Sequence, residues 1–223
     1  MIGTGRLCFP RMAAVLLAAL LISCGGIRRG WYSRPYLEGG RIPEGQPSNF
    51  GEYFETLQVS LADLELRLSM NNQVQTSSTE YIGIVVPMLP VGMDLTNRDS
   101  GTVQPGRHTV DVTLSPQREG HRFAPHRVLL IIDGVPAKPV EVARMRFTAA
   151  AREREIWPPS GESLPLALAA KGGGTTFQLV FPVDRPSPDQ EIWVDLGEAL
   201  SSDAGKPGPR IGFRKTRWSN PYS

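Results

Sequence analysis

Residues 109–114 read TVDVTL, and they indicate the fold class because apolar and polar side chains alternate strictly along them. A period of two is the period of a β-strand, in which successive side chains point to opposite faces. Pro116 follows and ends the pattern. The stretch therefore predicts a strand with one buried face and one solvated face.

Comparable short segments lie on both sides of TVDVTL, and Pro and Gly separate them. They are rich in Leu, β-branched and aromatic residues, which favour strands. The further predicted strands are at residues 57–61, 64–70, 81–86, 127–132, 164–168, 176–183, 191–196 and 210–218. The sequence thus predicts a body of about nine strands.

Two irregularities between these segments carry information about turns. The alternation of residues 57–70 changes phase at Ala62 and Asp63, which predicts a bulge or a bend; a helix is disfavoured because the apolar spacing stays at two. Asp133-Gly134 follows the run RVLLII, and Val140 and Val142 come after it. This dipeptide predicts a β-hairpin.

Residues 148–156, TAAAREREI, are the one stretch with helical character, and they predict at most one short connecting helix. Many short strands between Pro and Gly turns predict an all-β, antiparallel Ig-like β-sandwich, with a jelly roll or another sandwich as the alternative. A parallel α/β fold needs long amphipathic crossovers, and the sequence shows none.

Composition limits the classes of partner. The chain has 24 basic and 22 acidic residues, and Arg6 and Arg11 are the only charged residues of segment 1–23, so residues 24–223 carry 22 of each sign. A balanced charge gives no global attraction toward nucleic acid, and we expect no nucleic-acid partner. The two cysteines, Cys8 and Cys24, both precede the predicted body, which therefore contains no disulfide.

The N-terminus has the pattern of an export signal. Arg6 and Arg11 precede the apolar run AAVLLAALLI at residues 13–22. As a helix this run is about 15 Å long, half of a bilayer core of about 30 Å, so it is too short to span. The pattern is that of a secretory signal peptide, residues 1–23.

The tetrapeptide Leu21-Ile22-Ser23-Cys24 resembles the lipobox of bacterial lipoproteins. The resemblance implies cleavage before Cys24, a diacylglycerol on its thiol, and acyl chains such as palmitoyl that hold the protein at a membrane. Gly25, rather than aspartate, follows the cysteine, which by analogy favours the outer membrane, facing the periplasm. An ordinary signal peptide with a chance cysteine and an uncleaved anchor are the alternatives.

Residues 24–52 are rich in Gly, Pro and Arg and show no strand or helix periodicity. They predict a lipidated N-terminus followed by a flexible tether. The β-sandwich is then expected at residues 53–223. Within it, RFAPHRVLLIIDG at 122–134, with TFQLVFPV, EIWVDL and PRIGFRK further on, resembles uncharacterised bacterial envelope lipoproteins with a single Ig-like sandwich.

No catalytic or metal-binding pattern stands out. The histidines, His108, His121 and His126, do not have the spacing of a zinc site, and we expect them in exposed turns and loops. Ser160 and Ser163 lie in a Pro-rich loop without an evident base. We therefore expect no catalytic residue, no metal and no cofactor.

One segment is a candidate for binding. Basic and aromatic residues are interleaved near the C-terminus, a composition that holds anionic ligands through charge and stacking. The candidate contacts are Arg210, Arg214, Lys215, Arg217 and Trp218. The competing interpretation is an edge strand whose charges prevent pairing with other sheets.

These observations predict a membrane-anchored envelope lipoprotein, not an enzyme, that acts as a noncatalytic binding or scaffold module. Its expected partners are the membrane, through Cys24, and an envelope protein or an anionic polymer. Two alternatives stay open. One is a periplasmic hydrolase or glycan-modifying enzyme with a site near His121 and His126; the other is an assembly or pilotin-like accessory lipoprotein.

Overall fold

The chain folds as an all-β protein of antiparallel sheets, as its computed structural model shows. The structure describes residues 22–40, 57–61, 63–84, 88–94, 98–99, 104–147, 152–157, 166–168, 174–202, 205 and 207–222. Its strands are β1 (Ile22–Leu37), β2 (Leu57–Leu61), β3 (Leu64–Met70), β4 (Val74–Ile84), β5 (Met88–Asp94), β6 (Arg98–Asp99), β7 (His108–Pro116), β8 (Arg122–Phe123), β9 (Leu129–Ile132), β10 (Val135–Ala137), β11 (Glu141–Phe147), β12 (Arg152–Trp157), β13 (Leu166–Ala167), β14 (Thr175–Phe181), β15 (Ile192–Asp195), β16 (Leu200–Ser201) and β17 (Arg210–Tyr222).

Three sheets are formed by these strands. The larger sheet has the order β10-β9-β15-β17-β1-β4-β5, with β6 also paired to β4. The six-stranded sheet has the order β12-β11-β14-β7-β3-β2, and a small sheet has the order β13-β8-β16. Among the described residues the one helical element is a 3-10 turn at Pro125–Arg127.

The core lies between the larger and the six-stranded sheet. Strand β7 alternates buried and half-buried residues along its whole length, as TVDVTL predicts. Its buried phase meets that of β3 and β14 and faces the inner residues of β9, β15 and β17. The largest fully buried side chains include Phe123, Phe177, Phe181, Leu66 and Ile211. The prediction of an all-β sandwich is confirmed, whereas Ig-like topology stays a prediction.

The described residues contain seventeen strands rather than the predicted nine or so, partly because β6, β8, β13 and β16 are two residues long. Strand character at 57–61 and 64–70 is confirmed. The phase change at Ala62 and Asp63 is neither a bulge nor a bend in one strand, because Leu61 pairs with Leu64 in a tight β2–β3 hairpin. The chain therefore reverses between Leu61 and Leu64, and this reversal resets which side chains point inward.

The Asp133-Gly134 hairpin is confirmed. Both residues have positive φ, 50° and 82°, as a two-residue turn of this kind requires. Val135 pairs with Ile132 across the turn, and β11 then joins the six-stranded sheet.

The predicted helix at 148–156 is wrong for its described part, since residues 152–157 form β12. This strand pairs with β11, with Trp157 opposite Val142. The ladder to β11 outweighs the intrinsic helix preference of the segment. Exposed charged residues such as Arg154 then protect an edge strand.

The predicted flexible tether is wrong for residues 24–37, which belong to the sixteen-residue strand β1. Strand β1 pairs with β17 on one side and β4 on the other, so ladder hydrogen bonds from two neighbours replace the missing apolar periodicity. Pro35 lies where β4 no longer pairs with β1, a position at which a missing N–H is tolerated. Tether residues 41–52 and residues 1–21 of the signal segment 1–23 lie outside the described residues.

Candidate functional site

The five candidate contact residues near the C-terminus all lie on β17 in the larger sheet. Strand β17 is not simply an edge, because residues 211–213 are paired with both β15 and β1. The strand period of two sends alternate side chains to opposite faces. Arg210, Arg214 and Trp218 therefore share one face, and Lys215 and Arg217 share the other.

On the outer face, two aromatic rings meet above a glycine. Gly212 pairs with Trp193 of β15 on one side and with Tyr36 of β1 on the other. The two ring centroids are 5.7 Å apart, and the planes are inclined by 67°. A Cβ atom at Gly212 would lie 2.4 Å from Tyr36 Cζ, so only glycine leaves room for this arrangement. We call Tyr36 and Trp193 the aromatic platform.

Trp193 is held from two directions. Its indole Nε1 donates a hydrogen bond of 2.9 Å to Glu191 Oε1. The guanidinium carbon of Arg210 lies 4.7 Å from the centre of the Trp193 ring, within the range of a cation–π contact. Arg210 Nη1 is also 3.5 Å from Glu38 Oε1. The indole is thus fixed in orientation but stays partly exposed.

The surroundings of Tyr36 keep its hydroxyl protonated. Burial raises the pKa of Tyr36 above its ordinary value of 10.0, the negative charges of Glu191 and Glu38 raise it further, and Arg214 lowers it. A phenol that is protonated at neutral pH donates a hydrogen bond. Tyr36 therefore offers an apolar ring and a polar donor on one exposed surface.

Arg214 completes this face. It is exposed, lies opposite Arg34 of β1, and forms no ion pair with any described residue. Like charges directly opposite in a sheet repel each other. The outer face therefore holds a cationic position next to Tyr36 that a negatively charged group would stabilise.

The other face of β17 differs. Lys215 Nζ lies 4.4 Å from the centre of the Trp31 ring and contacts the carboxylate of Asp189, so its charge is compensated. Arg217 is exposed on the same side. Trp218 lies on the same face as Arg214, but it is only 7% exposed. It covers Gly30, where a Cβ would lie 2.7 Å from the indole. Trp218 is thus a packing residue.

The expectation that the histidines are exposed is wrong for two of them. His108 and His121 are 4% and 5% exposed. His108 begins the buried phase of β7, and His121 Nε2 lies 3.0 Å from Asp63 Oδ1. His126 is half-buried, with its Nε2 buried.

The Asp63–His121 contact links the β2–β3 turn to the loop before β8. Backbone bonds reinforce it: Gln117 N donates to the Asp63 carbonyl at 2.6 Å, and Leu168 N to the His121 carbonyl at 3.0 Å. Across the described part of the chain, no three His, Cys, Asp or Glu residues gather in a metal-binding arrangement. Ser160 and Ser163 lie outside the described residues.

Sequence reasoning missed both platform residues. Tyr36 lies in the predicted tether, where no local pattern marks it. Trp193 was inside a predicted strand, and its position between the inward Ile192 and Val194 does indicate an outward aromatic ring. That phase argument is the signal by which the sequence identifies half of the platform.

Cys24 lies in β1, opposite Ile82 of β4. No helix in the described ranges combines the length and apolar character that a membrane crossing requires. Comparisons with family models, curated proteins and solved structures found no match. The fold class of the molecule is therefore defined by its strand pairing. The candidate site is the outer face of the larger sheet.

Proposed function

We propose that this protein is a lipid-anchored, noncatalytic binding module of the bacterial cell envelope, and that the aromatic platform is its recognition surface. The observation that carries the proposal is the pair of partly exposed rings, Tyr36 and Trp193, in contact above Gly212. Rigid aromatic side chains lose little conformational entropy on binding and provide large contact areas. Gly212 lies beneath them, and both rings stay partly exposed although the Arg210 guanidinium lies 4.7 Å from the centre of the Trp193 ring.

The outer face of the six-stranded sheet provides a contrast. There, Arg107 Nη2 donates to Glu141 Oε2 at 2.8 Å, and Arg154 contacts the other oxygen of the same carboxylate. Hydrogen bonds from both arginines lower the pKa of Glu141. Arg154 Nε also donates to Gln178 at 2.9 Å. These four polar side chains satisfy one another, so the aromatic face is the better candidate for a ligand.

The membrane address rests on the N-terminal sequence. Cleavage before Cys24 removes Ile22 and Ser23 from β1 and leaves the ladder from Cys24 onward. Two acyl chains are sufficient for stable anchoring. Since Cys24 is itself a ladder residue, a lipid attached to it leaves no free linker between the bilayer and the larger sheet. We propose the outer membrane, facing the periplasm, as the location.

Replacing the lipidation residue, Cys24, tests the proposed membrane localisation. We expect Cys24→Ala to move the protein from the membrane fraction to the soluble envelope fraction, or to leave an unprocessed precursor, because no thiol is available for alkylation. Fractionation and mass spectrometry of the mature N-terminus measure this. Wild-type protein that is soluble and unacylated with residue 24 intact would contradict the address.

Replacing the indole tests the recognition surface. Truncating a Trp at the centre of a binding surface typically costs about 2 kcal/mol, so Trp193→Ala should raise the apparent Kd for purified envelope material about thirtyfold. Co-sedimentation of the detergent-solubilised protein with that material measures it. Trp31→Ala, on the opposite face of β1, is the control, and thermal unfolding confirms that both variants fold. Equal binding by Trp193→Ala and wild type rejects the platform as the recognition surface.

A further inference from the structure

We infer that the ligand of the aromatic platform is an acidic glycan, one of whose sugar rings stacks on Trp193 and Tyr36 while a carboxylate or phosphate substituent binds Arg214. The inference rests on the proposed function and names its ligand class. Its basis is the size of the platform, the polar groups around it, and the position of Arg214, which has no ion-pair partner within the described ranges.

The platform is too small to be the main contact of a stable protein partner. An aromatic side chain buries about 150–250 Å² at most, whereas a stable protein interface buries about 800 Å² on each side. Charged residues, including Glu38, Glu191 and Arg210, surround the two rings. A small apolar surface with a charged border fits a single ring-shaped ligand unit.

A pyranose ring has the complementary chemistry. Its C–H groups form an apolar face that lies against an indole or phenol ring, and its hydroxyl groups project around the edge. Glu191 and Glu38 provide acceptors for these hydroxyls, and the Tyr36 hydroxyl provides a donor or an acceptor. The 67° inclination between the rings allows one ring to support the sugar face while the other contacts its edge.

The charge pattern specifies an acidic sugar. Glu38 faces Arg210 at 3.5 Å, and Glu191 already accepts the Trp193 N–H bond. Arg214 has no ion-pair partner among the described residues and lies opposite Arg34. A guanidinium group binds carboxylate and phosphate through two parallel hydrogen bonds. An anion at this position therefore gains a hydrogen-bonded partner.

The test is a calorimetric titration of the full-length protein in detergent. The probes are a short oligogalacturonate, the uncharged oligogalactoside of the same length, and a phosphorylated oligomannoside. We expect an acidic probe to bind about fivefold more tightly than the neutral one, and the acidic probe that binds identifies carboxylate or phosphate as the substituent. Its affinity should fall with added salt.

Arg214→Ala should weaken binding of the acidic probe about fivefold and leave binding of the neutral probe unchanged. Arg217→Ala is the matched control: it removes the same charge from the same strand but from the opposite face, and it should change neither affinity. Trp193→Ala should reduce binding of every probe that binds.

The outcomes distinguish failure of the acidic-glycan inference from failure of the proposed binding function. If neither acidic probe binds more tightly than the neutral one, or if Arg214→Ala and Arg217→Ala have the same effect, the acidic glycan is excluded. The proposed binding function is then still supported if binding of the protein to envelope material depends on Trp193. If Trp193→Ala changes no interaction at all, both the inference and the proposed function are overturned.

Discussion

Phe177→Ala is expected to destabilise the protein by about 3–5 kcal/mol. The Phe177 side chain is fully buried in β14, and its ring lies 5.0 Å from the ring of Phe123 in β8. It therefore joins the six-stranded sheet to the small sheet, and its removal leaves a cavity that both sheets border. Single domains have about 5–15 kcal/mol of total stability, so this variant loses a large share of it.

Urea unfolding followed by tryptophan fluorescence measures the loss. Ile156→Ala is the control, since Ile156 is an apolar residue of β12 that is 60% exposed, and surface changes of this kind stay within about 0.5 kcal/mol. A Phe177→Ala protein as stable as wild type would mean that the Phe123–Phe177 contact does not form part of the core.

Stability should also fall below neutral pH because of His108. Burial, together with the smaller effect of the positive charge of Arg185, lowers the pKa of His108 from 6.5 to about 4. Between these two pH values the unfolded chain binds a proton that the folded chain rejects. The contribution of neutral, buried His108 to the free energy of unfolding is therefore complete above about pH 6.5, and it is lost as the pH falls toward about 4.

A pKa difference of this size corresponds to a loss of about 3 kcal/mol across the interval. Unfolding free energies measured in urea at several pH values should show the loss in wild type, and it should be nearly absent in His108→Gln, which keeps a polar side chain that does not titrate. The matched control is His126→Gln, since His126 lies in the short 3-10 turn rather than in β7. NMR titration of His108 gives its pKa directly, and a midpoint near 6.5 would refute this explanation.

Strands with a strong local pattern were predictable. β7 alternates strictly in sequence, and β14 and β15 are short runs rich in β-branched and aromatic residues. Their inner residues, such as Val112, Leu179 and Val194, are fully buried. The same alternation places His108 on the buried side of β7. The expectation of an exposed turn is wrong because His108 continues the buried phase of Val110 and Val112. Alternation is readable because a strand's side-chain directions depend only on its own backbone.

β1 was not predictable by the same means. Its sequence has glycines, arginines and a proline where a strand usually has an apolar phase. It is a strand because β17 pairs with it over Gly26–Leu37 and β4 over Ile22–Trp31. Backbone hydrogen bonds carry no side-chain signature, so a segment that depends on them resembles a linker in the sequence.

The candidate site is non-local for the same reason. Tyr36, Trp193 and Gly212 belong to three strands that are far apart in sequence, and the antiparallel register alone brings them into one row. That register also separates the five predicted contact residues, because neighbours along a strand point to opposite faces. A shift of one residue would move Trp193 into the core.

The sequence by itself determined that the chain forms antiparallel strands, and for the strongly alternating segments it determined which side chains point inward, since both follow from local composition and a period of two. Only the tertiary structure decided which strands are neighbours and in what register. The aromatic platform, the strand at 22–37 and the separation of Arg214 from Lys215 follow from that choice. The physical reason is that ladder hydrogen bonds are the same for every partner, so packing of the whole molecule selects among them.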